Sequence, residues 1–446
     1  MNKEIFKTNI CRIYIRVLNR LEISYLFILS SKIKLSMKVF IKLIFCFFFV
    51  LMAVSCKETT QEKENFRQQI AEGIISLPNP AKDSSSLPYL FSNREQLFLS
   101  WVTKVDSIAS LNYSELIGGK WTAPEAIASG SDWFVNWADF PGIAENNGNL
   151  LTHFLKKSDT AYFAYDVFLN IKNESEDQWK APFKLHSDST KTEHGFVSII
   201  PFKENSFFVT WLDGRDTASK DETMAMNIRA AVITATGEIL DDTLLDNRTC
   251  DCCHTTAAIT GNGPVVIYRD RSETEVRDIS IVRQVDGNWT DPKPVHNDNW
   301  EINGCPVNGP KADAIENTLV IAWFTAAENI PKVNLVFSGD GGENFSEPIR
   351  VDNGIPIGKV DVSLIDKDNA LVSWVEGSGS EAQIKVVKVT AEGDKSEAQV
   401  VSNSTDARAN GFPQMEILGE NVYFAWTVEE NGGLHVETSF LPLNNF

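Results

Sequence analysis

The sequence predicts an all-β chain closed into a seven-bladed β-propeller of four-stranded blades. Three observations carry that expectation. One apolar strand ending on an aromatic recurs seven times: Leu97–Trp101, Leu150–Phe154, Phe207–Trp211, Val265–Tyr268, Leu319–Trp323, Leu371–Trp374 and Val422–Trp426. Their terminal aromatics follow at intervals of 53, 57, 57, 55, 51 and 52 residues, the mark of a repeat architecture. Strand-and-turn patterning runs through the body, with no sustained 3.6-residue period after residue 75. Finally, the seventh repeat stops short of a fourth strand, while a spare strand-like segment, Gly73-Ile74-Ile75-Ser76-Leu77-Pro78, precedes the first repeat. A ring completed by that segment leaves no unpaired edge at its seam. A six-bladed ring, with one repeat misassigned, is the alternative count.

In chain order, the first element is a targeting segment. Lys38 and Lys42 precede the apolar run Leu43–Val54, which closes on Ser55-Cys56, the layout of a secretory signal. At about a dozen residues the run is short for the ~30 Å hydrocarbon core of a bilayer. The pattern resembles a bacterial lipoprotein signal, which implies lipid on Cys56 and a place in the cell envelope outside the cytoplasm, at the outer membrane. An uncleaved anchor is the alternative. Met37 opens a tidy n-region, so the true start is expected there. Residues 1–55 are read as leader, 56–71 as a polar tether and 72–446 as the propeller. The leader removes nine basic and two acidic residues, which leaves 32 basic and 58 acidic side chains and a net charge of −26. Such a chain is not built to hold nucleic acid by its phosphates, and its attachment to a membrane would rest on the lipid.

Each repeat divides into four strands. An inner strand A (Val197–Ile200, Val360–Leu364) leads into the aromatic-ended strand B, and an amphipathic strand C follows (Asp278–Val282, Lys332–Val336). Strand D opens with an aromatic and a proline: Trp121–Pro124, Trp179–Pro182, Trp289–Pro292 and Phe345–Pro348. Proline suits an outermost strand, which has no neighbour waiting for its N–H. In such a ring the D–A and B–C connections open on one face and the A–B and C–D connections on the other.

Ser338-Gly339-Asp340-Gly341-Gly342-Glu343-Asn344-Phe345 resembles the Asp-box of the sialidase-like (BNR) propellers, at the C–D turn where that family carries it. The resemblance covers the repeats of residues 72–442 and implies a propeller scaffold. The sialidase catalytic pattern is not matched: those enzymes are usually six-bladed, and Pro88–Arg94 lacks their Arg-Ile-Pro-like motif. A carboxylate clamp on the family's plan would draw on Arg215, Arg269, Arg271, Arg277 and Arg408, with Tyr268 as the nucleophile.

Unusual residues gather in the D–A and B–C connections, where loops on a rigid scaffold carry function. Cys250, Cys252, Cys253 and His254 open the fourth repeat and Cys305 opens the fifth. They allow disulfides, a Cu or Zn site, or free catalytic thiols. Arg269-Asp270-Arg271 and Arg277-Asp278 supply guanidinium groups for an anion. Between arginines, Asp270 or Asp278 would have a lowered pKa and suit a base. Trp133 and Trp137 are candidates for stacking on sugar rings, and Asp213, Arg215 and His194 complete the polar set. The expected function is recognition of an extracellular glycan or anionic small molecule by a lipid-anchored propeller. The alternatives are a glycoside hydrolase with its carboxylate pair drawn from Asp132, Asp213, Asp270, Asp278 and Asp361, a metal or redox protein on the cysteines, and a protein-binding scaffold using the loop at 217–226.

Overall fold

The seven aromatic-ended repeats are the second strands of seven antiparallel sheets. The computed structural model describes residues 73–78, 80–219, 225–378 and 381–446. The leader, Met37, Cys56, the tether and residues 220–224 of the proposed scaffold loop lie outside the described residues. Blade one is Ser85–Ser92, Leu97–Val105, Ile108–Ile117 and the outer pieces Lys120–Trp121 and Glu125–Gly130. Blade two is Ile143–Asn146, Asn149–Lys157, Tyr165–Lys172 and Phe183–Lys184, and blade three is His194–Phe202, Ser206–Asp213, Met226–Thr234 and Ile239–Thr249. Blade four comprises Thr256–Thr260, Gly263–Arg269, Ile279–Val285 and the short Asn288–Trp289 and Lys293–Pro294. Blade five is Lys311–Ile315, Thr318–Thr325, Lys332–Ser338 and Ile349–Arg350, and blade six is Ile355–Leu364, Asn369–Ser378, Glu381–Thr390 and Gln399–Ser404. Blade seven is Gln414–Leu418, Asn421–Glu430, Gly433–Pro442 and, as its outer strand, Ile75–Ser76. Among the described residues the only helices are four short 3-10 turns.

The B strands are near-continuous apolar runs because each is buried on both faces between neighbouring blades. Leu319 through Trp323 are wholly buried. The terminal aromatics Trp101, Phe154, Trp211, Tyr268, Trp323, Trp374 and Trp426 are all buried, and most can be assigned to a seam. Trp323 packs with Ile267, Ile279 and Ile281 of the preceding blade, Trp374 with Val320 and Leu335, and Trp426 with Leu371 and Ile384. Trp101 joins Tyr423 and Ala425 and thereby spans the first-to-last seam. Each indole withdraws roughly 150–250 Å² from water, worth about 4–6 kcal/mol before the entropy of ordering is set against it.

At that seam Ile75 pairs with Phe440 and Ser76 with Ser439, and the Leu77 N–H donates to the Thr438 carbonyl at 2.9 Å. The expected closure by Gly73–Pro78 is therefore present. The prolines differ from expectation in detail. Pro124, Pro182, Pro292 and Pro348 each interrupt the outer strand: the N–H two residues before (Thr122, Lys180, Thr290 and Ser346) donates to the third strand, and a paired segment follows directly after the proline. A residue with no N–H cannot join the ladder, so pairing lapses at that position.

The Ser338–Phe345 turn is internally bonded. Ser338 Oγ donates to Asp340 Oδ1 at 2.8 Å, and the Asn344 backbone and side-chain N–H groups donate to the same carboxylate at 2.9 and 2.8 Å. Burial works against the Asp340 charge, but these donors outweigh it and bring its pKa down to about 2. Gly341 and Gly342 supply the positive φ of 69° and 83° that the turn requires.

Deleting residues 73–78 removes one strand of blade seven and exposes its C strand. Thermal or urea melts of that deletion are expected to show a loss of about 3 kcal/mol or more. An unchanged midpoint would contradict closure by this strand.

Candidate functional site

The inner strands all begin on one face of the ring, and there the D–A connections surround a cavity of about 240 Å³. Trp137 from the approach to blade two forms one wall. Asp406, Arg408 and Phe412, from the approach to blade seven, form the next. The opposite side is the segment Cys305–Asn308 before blade five, with Ile357 and Lys359 at the start of blade six. Trp137 lies parallel to Phe412 with centroids 6.0 Å apart. Phe412 in turn meets the His254 ring at 4.4 Å, and His254 meets Phe140 at 4.9 Å, so the site stands on an aromatic floor.

Two cations converge on the indole. Lys359 Nζ lies 5.7 Å and the Arg408 guanidinium carbon 5.8 Å from the Trp137 ring centre, both at cation–π distance. Burial lowers the Lys359 ammonium to about 8, against the opposing pull of Asp406. Lys359 and Val307 hold φ of 52° and 56°, conformations that non-glycine residues seldom adopt and a β-branched residue least of all. Neighbours enforce them. Asn308 Oδ1 accepts from the Lys359 N–H at 2.7 Å, and its Nδ2 donates to the Ile357 carbonyl at 3.2 Å. A Cβ on Gly358 would come within 2.4 Å of Asn308 Oδ1, so that wall tolerates only glycine there.

The cysteines brace the same wall. Cys252 and Cys305 form a disulfide with Cα atoms 6.2 Å apart, while Cys250 and Cys253 are free and buried. The sulfurs of Cys250, Cys252 and Cys253 lie within 4.8 Å of one another, but the Cu or Zn site that the sequence allowed as one alternative competes here with other bonds. Cys252 is spent on the disulfide, His254 packs among Phe140, Phe196 and Phe412, and the Arg277 guanidinium sits 3.3 Å from Cys250 Sγ, where it opposes a cation. The Cys250 and Cys253 sulfurs are 2.8 Å apart. Burial pushes the Cys250 thiol up, but Cys253, the Cys252 N–H and the guanidiniums of Arg269 and Arg277 outweigh it and bring it to about 7. Cys253, buried beside it, is raised.

Of the arginines singled out, Arg408 alone reaches the cavity. Arg269 is a structural tie, since its guanidinium donates to the carbonyls of Asn308, Arg277 and Phe324 at 2.9, 2.6 and 2.7 Å. Arg277 is bound to Glu275 and Cys250, Arg271 to Glu275 and Asp251, and Arg215 to Asp213. Trp133 stacks on Phe154 at 4.2 Å, packed against blade two.

The catalytic candidates are likewise engaged with neighbours. Tyr268 is buried and its hydroxyl donates to Asp246 Oδ2 at 2.5 Å; burial first, then that carboxylate, keep the phenol protonated. Asp278 accepts from the N–H groups of Asn299 and Trp300 at 2.8 and 2.9 Å and fixes a turn. Asp270 is raised, not lowered, to about 6 by burial and by Asp246, because its neighbouring arginines point to other partners. Asp361 holds the N–H groups of Val362 and Met415, and Asp132 pairs with Lys156 at the surface.

Residues missed from sequence include Lys359 and Asn308, which look ordinary there, and a buried chain of Asp139, Tyr165 and Glu193. The Tyr165 hydroxyl donates to Glu193 at 2.5 Å and lies 3.1 Å from Asp139. Burial lifts Asp139 to about 8 and Glu193 to about 7. The Asn308-Gly309 pair, a turn dipeptide beside a cysteine, was the available signal for the cavity wall.

No family model and no curated protein matches the chain. Among solved structures the chain is similar to a Hadza microbial sialidase, at 13% identity over 65% of this chain and 63% of that one, with a TM-score of 0.43. It therefore spans less than two thirds of that protein. It is also similar to a variant of NanB sialidase from Streptococcus pneumoniae (9% identity, 84% and 95% covered, TM-score 0.45). A third is the polysaccharide lyase Uly1 (8% identity, 80% and 89% covered, TM-score 0.47).

The disulfide predicts that Cys305→Ser exposes one additional titratable thiol in the denatured chain and lowers stability by about 2–5 kcal/mol. Thiol titration and a urea melt of the variant check both effects. An unchanged thiol count would contradict the bridge.

Proposed function

We propose that the chain is a cell-envelope receptor, tethered by lipid on Cys56, that binds an acid-bearing saccharide in the channel-mouth cavity. The observation that carries the reading is the convergence of Lys359 and Arg408 on the face of Trp137 within one cavity. An indole face offers a sugar ring apolar contact, and a guanidinium beside it offers a carboxylate or sulfate paired hydrogen bonds. The chain carries a formal charge of −19, so a local cationic pair is the feature that would draw an anion to this point.

Binding is favoured over glycoside hydrolysis by the carboxylates. Hydrolysis needs two of them, roughly 5–9.5 Å apart across the bond. Among the described residues Asp406 is the one carboxylate lining the cavity.

Calorimetry with uronate- or sialate-containing oligosaccharides, set against neutral ones of the same length, tests the reading. Acidic saccharides are expected to bind and neutral ones to bind more weakly. Arg408→Ala and Trp137→Ala should each weaken the acidic ligand about tenfold or more, equivalent to about 1.4 kcal/mol. Binding that ignores both substitutions would overturn the assignment.

Affinity should also depend on pH. Lys359 is charged below its lowered pKa of about 8, so attraction to an anion is present there and declines as pH rises through that value. Lys359→Arg should remove this dependence. A flat profile for the unsubstituted protein would contradict a role for Lys359.

A further inference from the structure

We propose that Cys250, Cys253 and the Cys252–Cys305 bridge form one thiol–disulfide exchange unit, through which the bridge migrates inward to Cys250–Cys253 and releases Cys305 as a thiol on the cavity wall. The inference stands apart from the ligand reading and does not depend on it. Cys250, Cys252 and Cys253 lie in the connection between blades three and four, and Cys305 in the connection between blades four and five.

Position divides the four into an inner and an outer pair. Cys250 and Cys253 are buried, at 1% and 2% exposure, so a thiol or oxidant in solution does not meet them directly. Cys305 is exposed and lines the cavity, and Cys252 is half-buried between it and the interior. The sulfurs are nevertheless contiguous. Cys250 Sγ lies 2.8 Å from Cys253 Sγ and 4.0 Å from Cys252 Sγ. A lone buried cysteine is ordinarily inert, but two thiols in contact, one of them beside a disulfide sulfur, have the components that exchange requires.

The surroundings assign the roles within the inner pair. Burial opposes a charge on Cys250, but Cys253, the Cys252 N–H and the guanidiniums of Arg269 and Arg277 outweigh it and favour the thiolate. Arg277 lies 3.3 Å from the sulfur and is itself held by Glu275, with Asp251 as the other acidic group acting on it. The Cys250 N–H donates to the Arg269 carbonyl at 3.0 Å, which fixes this residue against blade four. Burial and the neighbouring Cys250 keep the proton on Cys253. Cys250 is therefore the attacking sulfur and Cys253 the resolving one.

Two displacements complete the transfer. The Cys250 thiolate attacks Cys252 Sγ; the Cys250–Cys252 bond forms, the Cys252–Cys305 bond breaks, and the electron pair leaves on Cys305, where water solvates it. Cys253 then gives up its proton and attacks Cys250 Sγ; the Cys250–Cys253 bond forms, the Cys250–Cys252 bond breaks, and the pair leaves on Cys252. The proton from Cys253 neutralises one of the two sulfurs set free. One disulfide, one thiol and one thiolate stand on each side, so no outside oxidant or reductant enters the balance. The segment Cys305–Asn308 then loses its covalent tie and keeps the hydrogen bond from Arg269 to the Asn308 carbonyl.

The test is to incubate the purified full chain, natively folded, with excess N-ethylmaleimide and no added thiol. The chain is then denatured, digested and mapped by mass spectrometry. Cleavage before Asp251 separates Cys250 from Cys252 and Cys253, so each linkage is distinguishable. Cys305 is expected to become alkylated while Cys250 and Cys253 become linked, at a rate independent of chain concentration. Cys250→Ser should abolish the release of Cys305, and Cys253→Ser should halt the transfer at a Cys250–Cys252 link. The unsubstituted chain decides the matter even if a variant fails to fold. A Cys252–Cys305 bridge that persists in it, alkylation of Cys250 or Cys253 with that bridge intact, or release of Cys305 in a folded Cys250→Ser chain would each overturn the proposal.

Discussion

Everything in this molecule depends on the packing of one blade's aromatic-ended strand against the blade before it. Trp323, Trp374 and Trp426 each bridge a seam in this way, and Trp101 does so across the junction of first and last blades. Because the contact is repeated around a circle, no blade can satisfy its apolar face alone. Closure by Ile75–Ser76 is the same requirement expressed in hydrogen bonds. A ring built so sets the direction of every strand, and with it the face on which each connection emerges.

That face is then made rigid by ties that do not themselves meet a ligand. The Cys252–Cys305 bridge joins the approaches to blades four and five. Arg269 is buried and spends its guanidinium on three carbonyls, one of them that of Asn308. Asn308 in turn holds Lys359 and Ile357. The disulfide and the buried arginine each anchor the segment Cys305–Asn308, which in turn holds the positively charged wall of the cavity, and this explains why residues in sparsely populated backbone conformations persist there.

The strands were legible because their signals are local. A run such as Leu319–Trp323 declares its burial by composition, and its recurrence declares the ring. Sorting connections by face was equally legible, since it follows from strand alternation. What could not be read was which polar residue faces inwards. Arg269 and Arg408 are both loop arginines in the sequence, yet one is buried on carbonyls and the other lines the cavity. Asp270 lies between two arginines in sequence, but both turn to other partners and burial decides its protonation. Asp166 and His186 are twenty positions apart and belong to no motif; only the meeting of blades two and three brings them together with His194.

We propose the cavity beside Trp137 as the place where this propeller meets its ligand. Hydrogen–deuterium exchange with and without a uronate-rich oligosaccharide tests it most directly. Slowed exchange is expected to be confined to residues 136–138, 305–309, 357–360 and 406–412, with the B–C connections near residues 213–217 and 270–277 unaffected. Protection centred on those B–C connections, or on the opposite face of the ring, would contradict it.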